Sequence, residues 1–182
     1  EVIENTGLTG DSLVSAISDV DGVIVRSAVK LPQEILDKAF ENPNCRLKGI
    51  ARAGVGVDNI DLTTATKYGI AVMNSASAST ITTAEHAFAL MISLARNVAN
   101  SNAVFRGGGW DRSEYVGVQL AGRTLGIVGM GRIGQAVARR ALAFGMEVIG
   151  FDPFMQEVTA LDGQVRMIQS FDELMKLVDI VS

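Results

Sequence analysis

Apolar and polar positions along the chain follow two rhythms that alternate block by block. GDSLVSAIS (Gly10–Ser18) repeats its apolar residues at helical spacing and runs into DGVIVRS (Asp21–Ser27), an apolar stretch that suits a buried strand. LPQEILDKAF follows, with Pro32 near the first helical turn, where a missing N–H costs nothing. LKGIA (Leu47–Ala51) reads as a second strand, DLTTATKYG as a helix stopped by Gly69, and IAVMN (Ile70–Asn74) as a third strand. This alternation predicts an α/β fold with a parallel sheet and helices on both faces.

A small polar stretch, SASAST, then leads into TITTAEHAFALMISLARNVANSNAVFRGGGW. Thr82 and Glu85 have the spacing of a capping box, and Ala87, Leu90, Met91, Leu94 and Val98 recur at helical intervals. The spacing predicts one helix from about Thr82 to Phe105, ended by Gly107–Gly109 and joining two βα-rich blocks. The second block runs strand, glycine turn, helix, strand (Met146–Asp152), an undefined stretch, a helix near Asp172–Leu177, and a final strand pattern. Because the chain opens on Glu1 and closes inside VDIVS, a longer parent protein is expected.

Composition narrows the function without choosing it. With 182 residues, 48% hydrophobic and 20% charged, the chain can bury a sizeable core. No apolar run reaches the length of a membrane span, and no charged-then-apolar leader is visible. A net charge of −4 argues against a broad nucleic-acid face, yet leaves room for a small anion bound by one or two arginines. Cys45 is the sole cysteine, which excludes an internal disulfide and a cysteine-based zinc site and makes a reduced, cytoplasmic compartment the default.

The strongest chemical signal is TLGIVGMGRIGQAVARRALAFGMEVIGFDP, which holds G-x-G-x-x-G between a strand and a helix. In that setting Gly129 permits the turn, Gly131 lets the backbone approach a pyrophosphate, and Gly134 lets helix and strand pack closely. The helix N-terminus offers free N–H groups to the phosphates. Asp152 ends the next strand at roughly the 20-residue spacing from which an acid binds the adenosine ribose. A carboxylate there repels a 2′-phosphate, so the cofactor expected is NAD.

Other candidates keep two readings each. ARAGVGVDNIDL (Ala51–Leu62) follows a strand, and its amides could form an anion nest; equally, it is a tight turn capped by Asp58 or Asp61. Arg26 and Arg52 sit at strand C-terminal ends, the ligand-binding edge of such sheets, although a solvated surface role is the ordinary one for arginine. His86, the only histidine, reads as a packing or hydrogen-bonding residue, since its neighbour Glu85 points elsewhere on the helix. Trp110 reads as a hydrophobic plug or interface anchor, and Cys45 as inert.

RAGVGVDNIDL, TAEHAFALMISLAR, GW, LAGRTLGIVGMGRIGQAVA and FGMEVIGFDP, in this order, resemble the D-isomer-specific 2-hydroxyacid dehydrogenases. The resemblance implies a flavodoxin-like substrate domain over 1–78 that lacks its first strand, a connecting helix over 79–109, and the first half of a Rossmann NAD-binding domain over 110–182, both doubly wound. It implies that the substrate's carboxylate rests on Gly54, Val55 and Gly56, with Arg26, Ser27 and Arg52 near its anionic groups. Gly129, Gly131, Arg132, Ile133 and Gly134 would meet the cofactor phosphates, Asp152 the ribose, and Val55 and Thr83 the nicotinamide side. VRSAVK and RAGVGVDNID are closest to members that oxidise 3-phosphoglycerate; glyoxylate or hydroxypyruvate reduction is the alternative. The family's catalytic arginine, glutamate and histidine fall beyond Ser182, so no catalytic residue is expected here. The 182 residues alone would then bind NAD, or form a homo-oligomer through the long helix and the NAD-binding domain, without chemistry. SASAS at Ser75–Ser79 departs from the Pro, Gly and Asn often carried there.

Overall fold

The computed structural model describes residues 1–111 and 113–182. They form two compact units, Glu1–Ser79 and Thr80–Ser182.

The first unit runs α1 (Gly10–Ser18), β1 (Gly22–Val25), α2 (Gln33–Phe40), β2 (Gly49–Arg52), α3 (Leu62–Lys67) and β3 (Ala71–Asn74). Its strands are parallel, in the order β1-β2-β3, with Val23, Ile50 and Val72 in register and Val25, Arg52 and Asn74 in register two residues on. Pro32 caps α2 from just outside it, and Gly69, at φ 68°, closes the turn after α3 in a conformation that favours glycine. Leu13, Ile17, Leu36 and Ala39 pack with Val25 and Ile50 into one core. Burying each large aliphatic side chain contributes about 1.5–3 kcal/mol. Because strand side chains alternate, Ile24 and Met73 lie on the opposite face, where they are exposed.

The second unit runs α4 (Thr80–Ala95), α5 (Val98–Arg106), β4 (Thr124–Val128), α6 (Arg132–Ala143), β5 (Glu147–Phe151), a 3-10 turn at Thr159–Leu161, β6 (Val165–Ile168), α7 (Phe171–Leu177) and β7 (Ile180–Val181). All four strands are parallel in the order β6-β5-β4-β7. The order reverses at β4, which is the topological switch point where open α/β sheets bind ligands. Helices cover both faces. Ala84 and Phe88 of α4 and Ala136, Val137 and Ala141 of α6 pack on Leu125, Ile127 and Val148, whereas Leu174 of α7 packs on Ile149 and Ile168 from the other side. Among the described residues no helix is long and apolar enough to cross a membrane.

The long helix differs from expectation. It starts at Thr80, so Thr82 lies inside its first turn rather than at its cap, and it breaks at Arg96–Asn97. Asn97 adopts φ 51°, a left-handed conformation that asparagine tolerates better than most residues. The carbonyl of Ala95 accepts from Val118 N–H at 2.7 Å in place of a fourth-residue helical bond. A side chain at Gly117, itself at φ 64°, would collide with that carbonyl. The returning segment at 117–118 therefore ends α4. The apolar face is also rotated from the expected one: Ala84 and Phe88 are buried, whereas Leu90 and Leu94 are exposed. The undefined stretch after Asp152 contains β6, hidden in the sequence because Arg166 interrupts its apolar run.

A surface clamp ties α2 to the end of α3. Tyr68 donates its hydroxyl to Asp37 at 2.6 Å, Lys67 Nζ donates to the same oxygen at 2.9 Å, and Phe40 stacks on Tyr68. The Tyr68 hydrogen bond, then those of Lys67 and Gln33, lower the Asp37 pKa from 3.8 to about 2. A lowered folded-state pKa means stability fully present above pH 3.8 and lost as pH falls through about 2. Urea unfolding across this window should show the wild-type advantage over Asp37→Asn shrinking towards zero at the acid end; a constant difference contradicts the clamp.

Candidate functional site

The glycine turn between β4 and α6 uses each glycine for a different physical reason. Gly129 has φ 97°, which strains any L side chain. A Cβ on Gly134 would collide with the Gly129 carbonyl oxygen, so close packing of α6 on β4 requires its absence. A Cβ on Gly131 would meet nothing within 4 Å. That position needs no glycine for the protein's own packing, and the space above it is an open cradle. The amides of Gly131, Arg132, Ile133 and Gly134 donate to no acceptor among the described residues. Four unsatisfied N–H groups at the N-terminus of a twelve-residue helix make a seat for phosphate oxygens.

Asp152 is built into this turn. Its Oδ2 accepts from Met130 N–H at 2.9 Å and its Oδ1 from Phe154 N–H at 2.8 Å. A carboxylate has about four acceptor positions, so about two remain for ribose hydroxyls. Met130, unremarked in the sequence, is a fully buried plug beneath the turn. It fits only because β5 carries Gly150, where a Cβ would come within 2.8 Å of Met130 Cγ and 2.6 Å of Met167 Sδ. Arg132 is exposed at the first position of α6, Ile133 beside it is partly exposed, and no partner among the described residues engages the Arg132 guanidinium.

The second candidate is the loop after β2. Three successive carbonyls are held from beneath: Gly54 O by Ser75 N–H at 3.0 Å and Ser75 Oγ at 3.3 Å, Val55 O by Asn74 Nδ2 at 2.6 Å, and Gly56 O by Arg52 Nη1. With the carbonyls turned inward, the amides of Val55, Gly56 and Val57 have no acceptor among the described residues. This is the nest arrangement, which offers several N–H groups to one anion. The turn reading is realised as well, since Asp61 caps α3 by accepting from Thr64 N–H at 2.7 Å. Neither Asn74 nor Ser75 stood out in the sequence; both follow from their position at the end of β3, adjacent to β2.

The two arginines at the strand ends differ. Arg26 is exposed, and its guanidinium has no partner among the described residues. Arg52 is turned under the loop, with Nη2 donating to Ser27 Oγ at 2.9 Å and Asp58 3.7 Å from Nη1. Asn59 Nδ2 ties the Arg26 turn to the same loop through Val29 O at 2.7 Å and Arg26 O at 3.4 Å.

Val55 is exposed in the first unit and Thr83 is exposed on α4 in the second. His86 is exposed on α4 with no hydrogen-bond partner among the described residues, so it serves neither packing nor bonding there. Glu85 beside it pairs with Arg140 of α6 at 3.0 Å, fastening α4 to the glycine-turn helix. Trp110 is exposed against Phe105, which excludes the plug. Cys45 is a free thiol packed at the edge of the first core. Among the described residues no three metal-ligating side chains cluster.

Residues 88–182 match the family model of the D-isomer specific 2-hydroxyacid dehydrogenase NAD-binding domain. D-3-phosphoglycerate dehydrogenase of Methanocaldococcus jannaschii is 43% identical over the whole chain, which covers 34% of that protein. The Bacillus subtilis enzyme of the same name is 45% identical over 89% of the chain and 30% of its own length. The chain thus spans about a third of these curated relatives. Among solved structures, Aquifex aeolicus D-lactate dehydrogenase complexed with NAD and lactic acid superposes with a TM-score of 0.79 at 32% identity, over 92% of this chain and 49% of that one. A Granulicella formate dehydrogenase gives 0.80 at 29% identity, over 92% and 44%.

Substitutions in the glycine turn separate cofactor binding from folding. Gly134→Ala should lower unfolding stability by about 1–3 kcal/mol, the scale of overpacking. Gly131→Ala should leave the urea midpoint unchanged yet weaken NAD about tenfold or more, about 1.4 kcal/mol. Calorimetric titration beside urea unfolding checks both, and Gly131→Ala binding NAD at full strength contradicts the open-cradle assignment.

Proposed function

The chain belongs to the D-isomer-specific 2-hydroxyacid dehydrogenases, and we propose that the intact protein oxidises 3-phospho-D-glycerate to 3-phosphohydroxypyruvate with NAD, the reaction that opens serine synthesis. The observation that carries the substrate reading is the pairing of an anion nest at Val55–Val57 with Arg26, an exposed cation without a partner among the described residues, one residue beyond the neighbouring strand. A phosphorylated hydroxy acid brings two anionic groups, a carboxylate suited to the nest and a phosphate suited to the arginine. The relatives named as D-3-phosphoglycerate dehydrogenases support the same substrate.

The residues of this chain bind and orient. NAD, when bound, supplies the hydride acceptor. The amides of Gly131–Gly134 hold its pyrophosphate, Arg132 adds charge, and Asp152 accepts from the adenosine ribose while excluding a 2′-phosphate. We assign no acid–base residue to these 182 residues: His86, the one histidine, sits on the solvent side of α4. The proton-transfer group belongs to the remainder of the intact protein.

The partner proposed is a second copy. Leu94 of α4, 83% exposed, Val98 and Phe105 of α5 and Trp110 beyond it are exposed apolar residues, and α5 buries none of its residues in its own unit. Sedimentation should give a dimer, and Leu94→Asp a monomer with unchanged helix content; a wild-type monomer contradicts the assembly.

The substrate reading is tested on the intact enzyme. Arg26→Ala should raise KM for 3-phosphoglycerate about tenfold or more, with kcat little changed, as loss of uniform binding does. KM for unphosphorylated hydroxy acids should barely move. An unaltered phosphoglycerate KM removes the phosphate role.

A further inference from the structure

Asn59 joins the two anion-binding elements of the first unit. We propose that it is a positioning residue that fixes the span between the Arg26 cation and the anion nest at Val55–Val57, and thereby selects hydroxy acids that carry a second anionic group. The proposal rests on the reading of the nest as the carboxylate seat and of Arg26 as the phosphate ligand. Asn59 lies two residues past the nest, in a turn closed by Ile60 N–H donating to the Val57 carbonyl at 3.0 Å. Although it stands in a loop, it is only 8% exposed. Its Nδ2 reaches across to the turn after β1, donating to Val29 O at 2.7 Å and to Arg26 O at 3.4 Å.

The task requires an amide. An NH2 group carries two hydrogens, one for each carbonyl of the turn. An oxygen in its place would face two oxygens, which fixes the orientation of the amide and disfavours a carboxylate. Oδ1, on the other side, is buried with no hydrogen-bond partner among the described residues. An unmet buried acceptor costs stability, so packing alone would favour an apolar residue here, and the two donors are what the amide adds.

Arg26 depends on this contact because the segment that carries it is anchored mainly at its ends. Ala53 N–H donates to Val25 O at 2.9 Å, while Leu31 donates to Asn59 O at 2.7 Å and accepts from Asp61 N–H at 3.0 Å. Between these anchors Arg26, Ser27 and Ala28 are exposed. The turn's own bond, from Val29 N–H to Arg26 O at 3.1 Å, shapes it without placing it against the neighbouring loop. Arg52 Nη2 holds the Ser27 hydroxyl at 2.9 Å, and among the described residues Asn59 is the side chain that holds the turn's carbonyls. The nest, by contrast, has supports of its own in Arg52, Asn74 and Ser75. Removing the Asn59 amide thus releases the cation and leaves the nest in place.

A double-mutant cycle on the intact enzyme separates positioning from structure. KM and kcat for 3-phosphoglycerate would be measured for wild type, Asn59→Ala, Arg26→Ala and the double variant. D-glycerate, the same hydroxy acid without the phosphate, would serve as a competitive inhibitor of each. Asn59→Leu, an apolar side chain of similar shape, repeats the cycle, and urea unfolding checks that each variant folds. Either Asn59 substitution should raise the phosphoglycerate KM about fivefold or more, within the range of coupling inside one hydrogen-bond network, with kcat little changed. The inhibition constant of D-glycerate should barely move. With Arg26→Ala already present, neither substitution should raise KM further, because the cation it positions is gone. The proposal is overturned if the Asn59 variants leave KM unaltered. It is equally overturned if they raise KM by the same factor without Arg26, or weaken D-glycerate in parallel, since both mark a purely structural role. Should Arg26→Ala itself leave KM unaltered, the phosphate reading fails and selection by Asn59 falls with it, a result distinct from loss of the Asn59 effect alone.

Discussion

A backbone N–H that has left a strand and not yet entered a helix must find an acceptor or face outward, and both units of this chain are organised around that constraint. At the glycine turn, Met130 N–H is taken by Asp152, and the next four amides have no acceptor among the described residues. In the loop after β2 the carbonyls are drawn beneath, and the amides of Val55, Gly56 and Val57 are left over. An unsatisfied amide is tolerable where water or an anion can reach it, and expensive where it is buried. The two candidate seats are thus parts of the fold in which the backbone is deliberately incomplete, at the carboxyl ends of parallel strands.

Rigid support makes such incompleteness useful. Asp152 is held by two backbone amides while keeping acceptor positions free, so it links the glycine turn to the end of β5 and still presents a carboxylate. Glu85 and Arg140 fasten α4 to α6, the helix that opens on the glycine turn. In the first unit, Arg52, Asn59 and Asn74 stitch the ends of β1, β2 and β3 into one edge. Several of these supports, Asp152, Asn59 and Asn74 among them, are side chains bonded directly to backbone, which fixes the geometry of each loop.

The glycine turn was legible because its three glycines occur with a strand before, a helix after and an acid at the right remove. The anion nest was legible only as one of two possibilities, because spacing does not say which way a carbonyl turns, and the residues that turn it lie at the end of β3. Arg26 and Arg52 looked equivalent for a related reason. Arg52 pairs in register with Val25 inside the sheet, whereas Arg26 lies one residue past it, and a strand of alternating faces makes that single step decisive. The break at Asn97 escaped notice because apolar periodicity continues across it, and the Gly117–Val118 segment that ends the helix is remote in sequence. His86 was read as a packing residue from its helical position, and only the rotation of α4 on the sheet put it outside.

The central claim is that these residues hold the ADP half of NAD and discriminate its ribose through Asp152. Calorimetric titration of the chain with ADP-ribose, NAD and NADP tests it most directly. ADP-ribose should bind about as tightly as NAD, and NADP about tenfold or more weaker, about 1.4 kcal/mol. Equal affinity for NADP and NAD, or NAD binding far more tightly than ADP-ribose, would contradict it.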